Sequence, residues 1–147
     1  MCSSDLAFGT FGEIDSLRSE IIGCSYNQLQ YSPAQHALVS NGVIDVSISQ
    51  TVNRTDSGTV WNAAEVALSA KLNVQDLGTL FDHVVYCLPS GTTSFVAYAY
   101  VGSWRSVYYD IYCTHTGALR HELGHNINLS HSSELLGEYD DLTCTMG

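Results

Sequence analysis

The sequence predicts one α/β domain, on three observations. Its 147 residues suffice for one sizeable core and are too few for two ordinary domains. Stretches with helical apolar spacing alternate with short β-branched or fully apolar runs, the pattern of helices layered on a sheet. No internal repeat, linker or change of composition divides the chain, so one domain is expected over residues 1–147.

The elements follow in order. From Ile14 to Leu29, Ile14, Leu17, Ile21 and Ile22 recur at helical spacing, and Asp15 or Ser16 can cap the start. Gly42 to Ser49 reads as a strand, because Val43, Ile44, Val46 and Ile48 form a β-branched run. Gln50 to Gly58 is polar and reads as a loop. Asp56 or Ser57 then caps a helix from about Thr59 to Leu72, with Val60, Ala63, Ala64, Ala67 and Leu68 on one face. Val84 to Leu88 is a continuous apolar run stopped by Pro89-Ser90-Gly91, as expected of a strand buried on both faces. Phe95 to Val101 alternates large and small residues and reads as a further strand.

Charge narrows the partners. Five Lys and Arg against 15 Asp and Glu give a net charge of −10. Such a chain repels phosphate backbones and anionic membrane surfaces, so nucleic-acid binding through a basic face is not expected. No apolar stretch approaches the roughly 20 residues that cross a bilayer, so no transmembrane segment is expected. The five cysteines, Cys2, Cys24, Cys87, Cys113 and Cys144, include no CxxC pair. Scattered in this way they suit long-range disulfides in an oxidising compartment, or else buried thiols in a reduced one. An odd number leaves one thiol unpaired or paired outside the chain. Asn53-Arg54-Thr55 is a glycosylation sequon in a polar stretch, which fits secretion. The first residues have neither the basic nor the apolar region of a signal peptide. Both ends look cut, so the chain reads as part of a longer secreted protein or an incomplete gene product.

One motif carries chemistry. Residues 121–131 read HELGHNINLSH. His121 and His125 are four apart, so on a helix their imidazoles project from one face, as two ligands of a tetrahedral zinc require. Glu122 sits beside the first ligand, near enough to hydrogen-bond a metal-activated water without being a ligand. His131 follows six residues after His125 and can complete the set only if the chain turns sharply between them. Asn128 is where that turn belongs, since Asn after Gly best tolerates the left-handed conformation that ends helices. Three neutral imidazoles and an open fourth position describe a catalytic zinc site rather than a structural one. The zinc lowers the pKa of its water towards about 7, and Glu122 accepts the proton as the water attacks a carbonyl. Because the ligands must be neutral, activity is expected to fall in mild acid. HExxH alone recurs by chance; the full HExxHxxxxxH is far more specific.

At these residues the chain resembles the metzincin zinc endopeptidases, which have three histidines and a methionine-containing turn. Met146, in Cys144-Thr145-Met146-Gly147, stands 15 residues after His131, where the resemblance implies a hydrophobic floor beneath the metal. HELGHN and the Cys two residues before the Met are also similar to the adamalysin type. The chain looks most like the gametolysin family of extracellular and cell-wall metalloproteases. That likeness lies in Gly23-Cys24-Ser25-Tyr26, Asp82-His83-Val84-Val85-Tyr86, Ala97-Tyr98-Ala99-Tyr100-Val101-Gly102 and Gly137-Glu138-Tyr139-Asp140-Asp141, and covers most of the chain from about Phe11. Asn128 replaces the usual Gly between the second and third ligands.

The resemblance implies a metzincin-like zincin domain: a twisted mixed sheet, an active-site helix from about Thr116 to Ile127, and zinc on His121, His125 and His131. It implies an endopeptidase that hydrolyses extracellular or cell-wall protein, with Glu122 as general base and then proton donor. It also makes Ala97, Tyr98, Ala99 and Tyr100 the sheet edge over the cleft, where a substrate peptide adds antiparallel; an ordinary buried strand is the alternative. The family's first strand and its C-terminal subdomain are expected to lie outside residues 1–147. Two other readings compete with an active enzyme, a non-catalytic zinc-stabilised peptide-binding module and an inactive truncated fragment. His36, His83 and His115 lack ligand spacing, and Asp140 and Asp141 read as a solvated loop. Trp61 and Trp104 read as packing, and nothing in the spacing singles out Tyr108 or Tyr109.

Overall fold

The computed structural model describes residues 16–92, 95–132, 137–141 and 143–147. Helix α1, Leu17–Cys24, starts at Ser16, whose hydroxyl accepts from the Ser19 N–H while the Ser19 side chain answers the Ser16 N–H, a reciprocal cap. Leu17 and Ile21, four apart, are its buried face. Ile14 and Asp15 lie outside the described residues. The expected continuation to Leu29 does not form, because Tyr26 and Asn27 both enter positive φ and turn the chain. Helix α2, Ser57–Leu72, is capped by the Asp56 carboxylate on the Thr59 N–H and ends at Asn73, which is left-handed. Its buried face is Val60, Trp61, Leu68 and Leu72.

Among the described residues the sheet has three strands: β1 (Val84–Leu88), β2 (Ala97–Ala99) and β3 (Arg105–Tyr109), in the order β1-β3-β2. β1 runs parallel to β3, with Val84 opposite Arg105, and β2 runs antiparallel to it, with Ala97 opposite Tyr108. The sheet is therefore mixed. β3 is central and almost wholly buried, yet its sequence announces it poorly: it opens on Arg105 and Ser106, and only Val107, Tyr108 and Tyr109 are strong β-formers. Its side chains alternate between two cores. Val107 and Tyr109 join Val60, Trp61 and Leu68 of α2 on one face. Tyr108 joins Leu17 and Ile21 of α1 and Leu119 and Leu123 on the other. Leu119 and Leu123 belong to α3, Thr116–Asn126, so helices cover both faces of the sheet.

Two strand expectations need correction. Gly42 to Ser49 forms no strand; Ser40 and Val43 make one isolated bridge, and the rest enters no ladder among the described residues. Ile44, Val46 and Ile48 do face inward at a period of two and pack on the α2 side, so the pattern records burial without pairing. One of its backbone acceptors, the Asp45 carbonyl, is taken by Lys71 Nζ at 2.7 Å. β1 is not buried on both faces: Tyr86 and Leu88 are buried, whereas Val85 is 37% exposed.

A disulfide joins Cys87 in β1 to Cys113 in the 3-10 turn Asp110–Thr114 that leads into α3. Cys24 and Cys144 are exposed and make no disulfide among the described residues, and Cys2 lies outside them. Among the described residues no helix is long and apolar enough to cross a membrane.

Candidate metal centre

Helix α3 is held on its two sides before it presents any chemistry. Leu119 and Leu123 anchor it in the core, and Arg120 reaches Glu20 of α1 at 2.9 Å. Asn126 donates from Nδ2 to the carbonyls of Tyr100 and Arg105, at 3.2 and 2.9 Å, and so staples the β2–β3 connection to the helix. His121 and His125 then point the same way, with ring centroids 4.8 Å apart.

The helix ends as its sequence requires. Asn128 has φ 72°, the Asn128 N–H donates to the His125 carbonyl, and the Leu129 N–H donates to that of Gly124, both at 2.9 Å. This is a Schellman ending with Asn in the left-handed position. The reversal does two things. It sends the chain back to His131, and it places the Leu129 carbonyl 2.8 Å from Nδ1 of His125.

Each imidazole is held in the same manner. Nδ1 of His121 lies 2.7 Å from the Thr145 carbonyl, and Nδ1 of His131 lies 2.7 Å from a Glu138 carboxylate oxygen. A carbonyl or carboxylate oxygen only accepts, so all three Nδ1 atoms donate, and in the neutral imidazoles all three Nε2 atoms then carry lone pairs. Those lone pairs converge: Nε2 of His131 is 3.0 Å from Nε2 of His125 and 3.3 Å from that of His121. Facing lone pairs at that distance repel unless a cation lies among them. Nitrogens each about 2.0–2.1 Å from a tetrahedral ion stand about 3.3 Å from one another. The donor set, its tautomers and its spacing therefore fit a metal ion held by His121, His125 and His131.

Glu122 is 7% exposed beside this cluster. Burial pushes its carboxyl above the ordinary carboxylate range; His125, His131 and a hydrogen bond from the Ala99 N–H pull the other way. A carboxylate so placed can accept and return a proton next to a bound ion. Ala99 reaches it because of the ladder. Tyr100 N–H donates to Arg105 and Tyr109 N–H to Val96, so residues 96, 98 and 100 face β3, and the backbone groups of Ala97 and Ala99 point off the edge. Their side chains divide as well: Ala97 packs on the α3 side and Tyr98 on the α2 side.

Met146 is buried against α3, and the contact explains Gly124. A Cβ there would meet Met146 Sδ at 2.6 Å, so the glycine lets the turn bed down between the two helical histidines. The Met146 carbonyl also accepts from the Ser132 N–H at 2.9 Å. Sequence reasoning missed Gly124, Asn126, Thr145 and Glu138 as parts of the site. A glycine inside a helix, which costs about 1 kcal/mol against alanine, was the one available signal.

The other histidines stand apart from the cluster. His36 accepts from the Leu38 N–H, His115 packs on Tyr112 at the start of α3, and His83 Nε2 lies 3.2 Å from the Tyr31 hydroxyl. Tyr108 is buried with its hydroxyl 3.4 Å from the Leu119 carbonyl, and Tyr109 lies in the α2-side core. The carboxylates of Asp140 and Asp141 accept from the N–H groups of Gly137 and Thr143 and close two turns.

A family model described as gametolysin peptidase M11 matches residues 12–147. No curated protein and no solved structure matches the chain. With the match spanning nearly the whole sequence, the chain belongs to the gametolysin peptidase M11 family, a family of metallopeptidases.

Proposed function

We propose that the chain is a zinc-dependent endopeptidase that hydrolyses peptide bonds of extracellular or cell-wall proteins, with His121, His125 and His131 as ligands and Glu122 as general base. The observation that carries this reading is the convergence of three Nε2 lone pairs beside a buried carboxylate. Three neutral imidazoles suit zinc. When bound, the ion supplies a Lewis acid that polarises the scissile carbonyl and makes water nucleophilic at neutral pH.

The protein's own residues do the rest. The outward N–H and carbonyl groups of Ala97 and the outward carbonyl of Ala99 take an extended peptide as an added antiparallel strand, which holds its scissile carbonyl over the histidines. Glu122 takes the proton of the attacking water and delivers it to the departing amine nitrogen. Its burial favours the protonated form needed for the second step, and the Ala99 hydrogen bond fixes the carboxylate for the first. Met146 and Gly124 set the depth of the floor, and Asn126 holds the substrate edge against the helix. Secretion agrees with the Cys87–Cys113 disulfide, since such bonds persist in oxidising compartments.

The test is zinc content together with casein cleavage, wild type beside Glu122→Gln. One zinc per chain in both, with cleavage lost by a factor of about 10²–10⁴ in the variant, is expected. One zinc and no cleavage in either protein would instead leave a peptide-binding module or an inactive fragment.

A further inference from the structure

The three candidate ligands are not supported alike. His121 leans on the Thr145 carbonyl and His125 on the Leu129 carbonyl, both main-chain groups fixed by turns packed on α3. His131 leans on a side chain, the Glu138 carboxylate, which is 70% exposed. The next residue, Tyr139, lays its ring against the His131 imidazole with centroids 4.1 Å apart. Both contacts come from one short turn. The Asp140 carboxylate accepts from the Gly137 N–H at 2.6 Å and closes residues 137–140 into a loop. A Cβ at Gly137 would run into the Asp140 carboxylate, which would have to shift and give up this closure.

We infer that Glu138 is a positioning residue for the third ligand: presented by the Gly137–Asp140 turn, it fixes the Nδ1–H tautomer and ring orientation of His131 and so sets metal affinity. The inference rests on reading the three histidines as a metal site. It follows from geometry and chemistry together. His131 follows the helix end rather than lying on the helix, so neither of its ring angles is constrained by a helical neighbour. Without an acceptor at Nδ1 the imidazole can adopt the other tautomer or rotate, and its Nε2 lone pair then leaves the cluster. A carboxylate is the strongest acceptor available and also places a negative charge behind a ligand of a divalent cation.

The experiment measures zinc dissociation constants by competition with a chromophoric chelator, and the visible spectrum of the cobalt-substituted protein, for wild type, Glu138→Ala, Glu138→Gln and Gly137→Ala. Removing such an outer contact weakens metal binding about 10–100-fold. That loss is expected for Glu138→Ala, with an altered cobalt spectrum. Glu138→Gln keeps an acceptor oxygen and should recover part of the affinity. Gly137→Ala keeps the carboxylate but displaces Asp140, and should weaken binding as well. The melting temperature of the metal-free protein should not move in Glu138→Ala, because the side chain is exposed; this separates positioning from a role in folding. Equal affinity and equal spectra in wild type and Glu138→Ala would overturn the assignment, as would a shifted melting temperature with unchanged affinity. A wild type that binds no zinc would overturn the metal site itself.

Discussion

The Cys87–Cys113 disulfide closes the strand–turn–strand unit that delivers α3, and its effect can be worked from the chain it encloses. The two cysteines are 26 residues apart, and between them lie β2, β3 and the turn at the start of the helix. Closing a loop of that length removes unfolded-state entropy worth about 3.5 kcal/mol at 25 °C. Unfolding entropy for 147 residues is about 0.3 kcal/mol per kelvin, so the loss corresponds to about 11 °C of melting temperature. The perturbation is Cys87→Ala with Cys113→Ala, compared with the wild type in the presence and absence of reductant. Thermal unfolding followed by circular dichroism should show the double variant melting about 11 °C lower, and reductant should lower the wild type alone. A difference under about 3 °C, or equal sensitivity of both proteins to reductant, would refute the reasoning that this crosslink constrains the unfolded chain.

Three further outcomes are expected. Asn126→Ala removes two part-buried hydrogen bonds and should cost about 1–3 kcal/mol in urea unfolding, with a raised KM for peptides because the proposed substrate edge loses its staple; unchanged stability and KM would contradict it. Burial lowers the His83 pKa below its ordinary 6.5, against smaller opposing effects of Asn126 and Asp82, with the Tyr31 hydroxyl on its other face. The unfolded chain therefore takes up this proton first, and the metal-free protein should lose stability as pH falls from 6.5 towards the folded-state value, a slope that His83→Asn should flatten in pH-dependent urea melts. A substrate peptide N-methylated where it pairs with Ala97 or Ala99 should be cleaved far more slowly than its parent, and equal rates would count against strand addition.

The site was more legible than the sheet that carries it. Two candidate ligands and the proposed base lie within about one helical turn, and the third candidate follows a residue, Asn128, whose side chain tolerates the φ of 72° that the reversal needs. These are local requirements, and local requirements are written in adjacent residues. α2 was readable for the same reason, with a capping Asp56 and a helical stripe. The supports of the site were not. Thr145 contributes a backbone carbonyl, for which any residue would serve, and Glu138 contributes a carboxylate that resembles any other on a chain of charge −10. Pairing was equally hidden. The β-branched run Val43 to Ile48 buries its face without entering a ladder among the described residues, while Arg105–Tyr109, weaker by propensity, becomes the central strand because Val107 and Tyr108 each fill a core on opposite faces. The disulfide pairing depended on the same tertiary arrangement, since Cys113 meets Cys87 only once β1 lies beside β3.

His121, His125 and His131 are proposed to bind one ion through Nε2. X-ray absorption at the zinc edge of the zinc-loaded protein tests it most directly. One zinc per chain with three imidazole nitrogens and one oxygen at about 2.0–2.1 Å is expected, with one imidazole fewer in His131→Ala. Sulfur at about 2.3 Å, which would make a cysteine such as Cys144 a ligand, or a spectrum unchanged by His131→Ala, would contradict it.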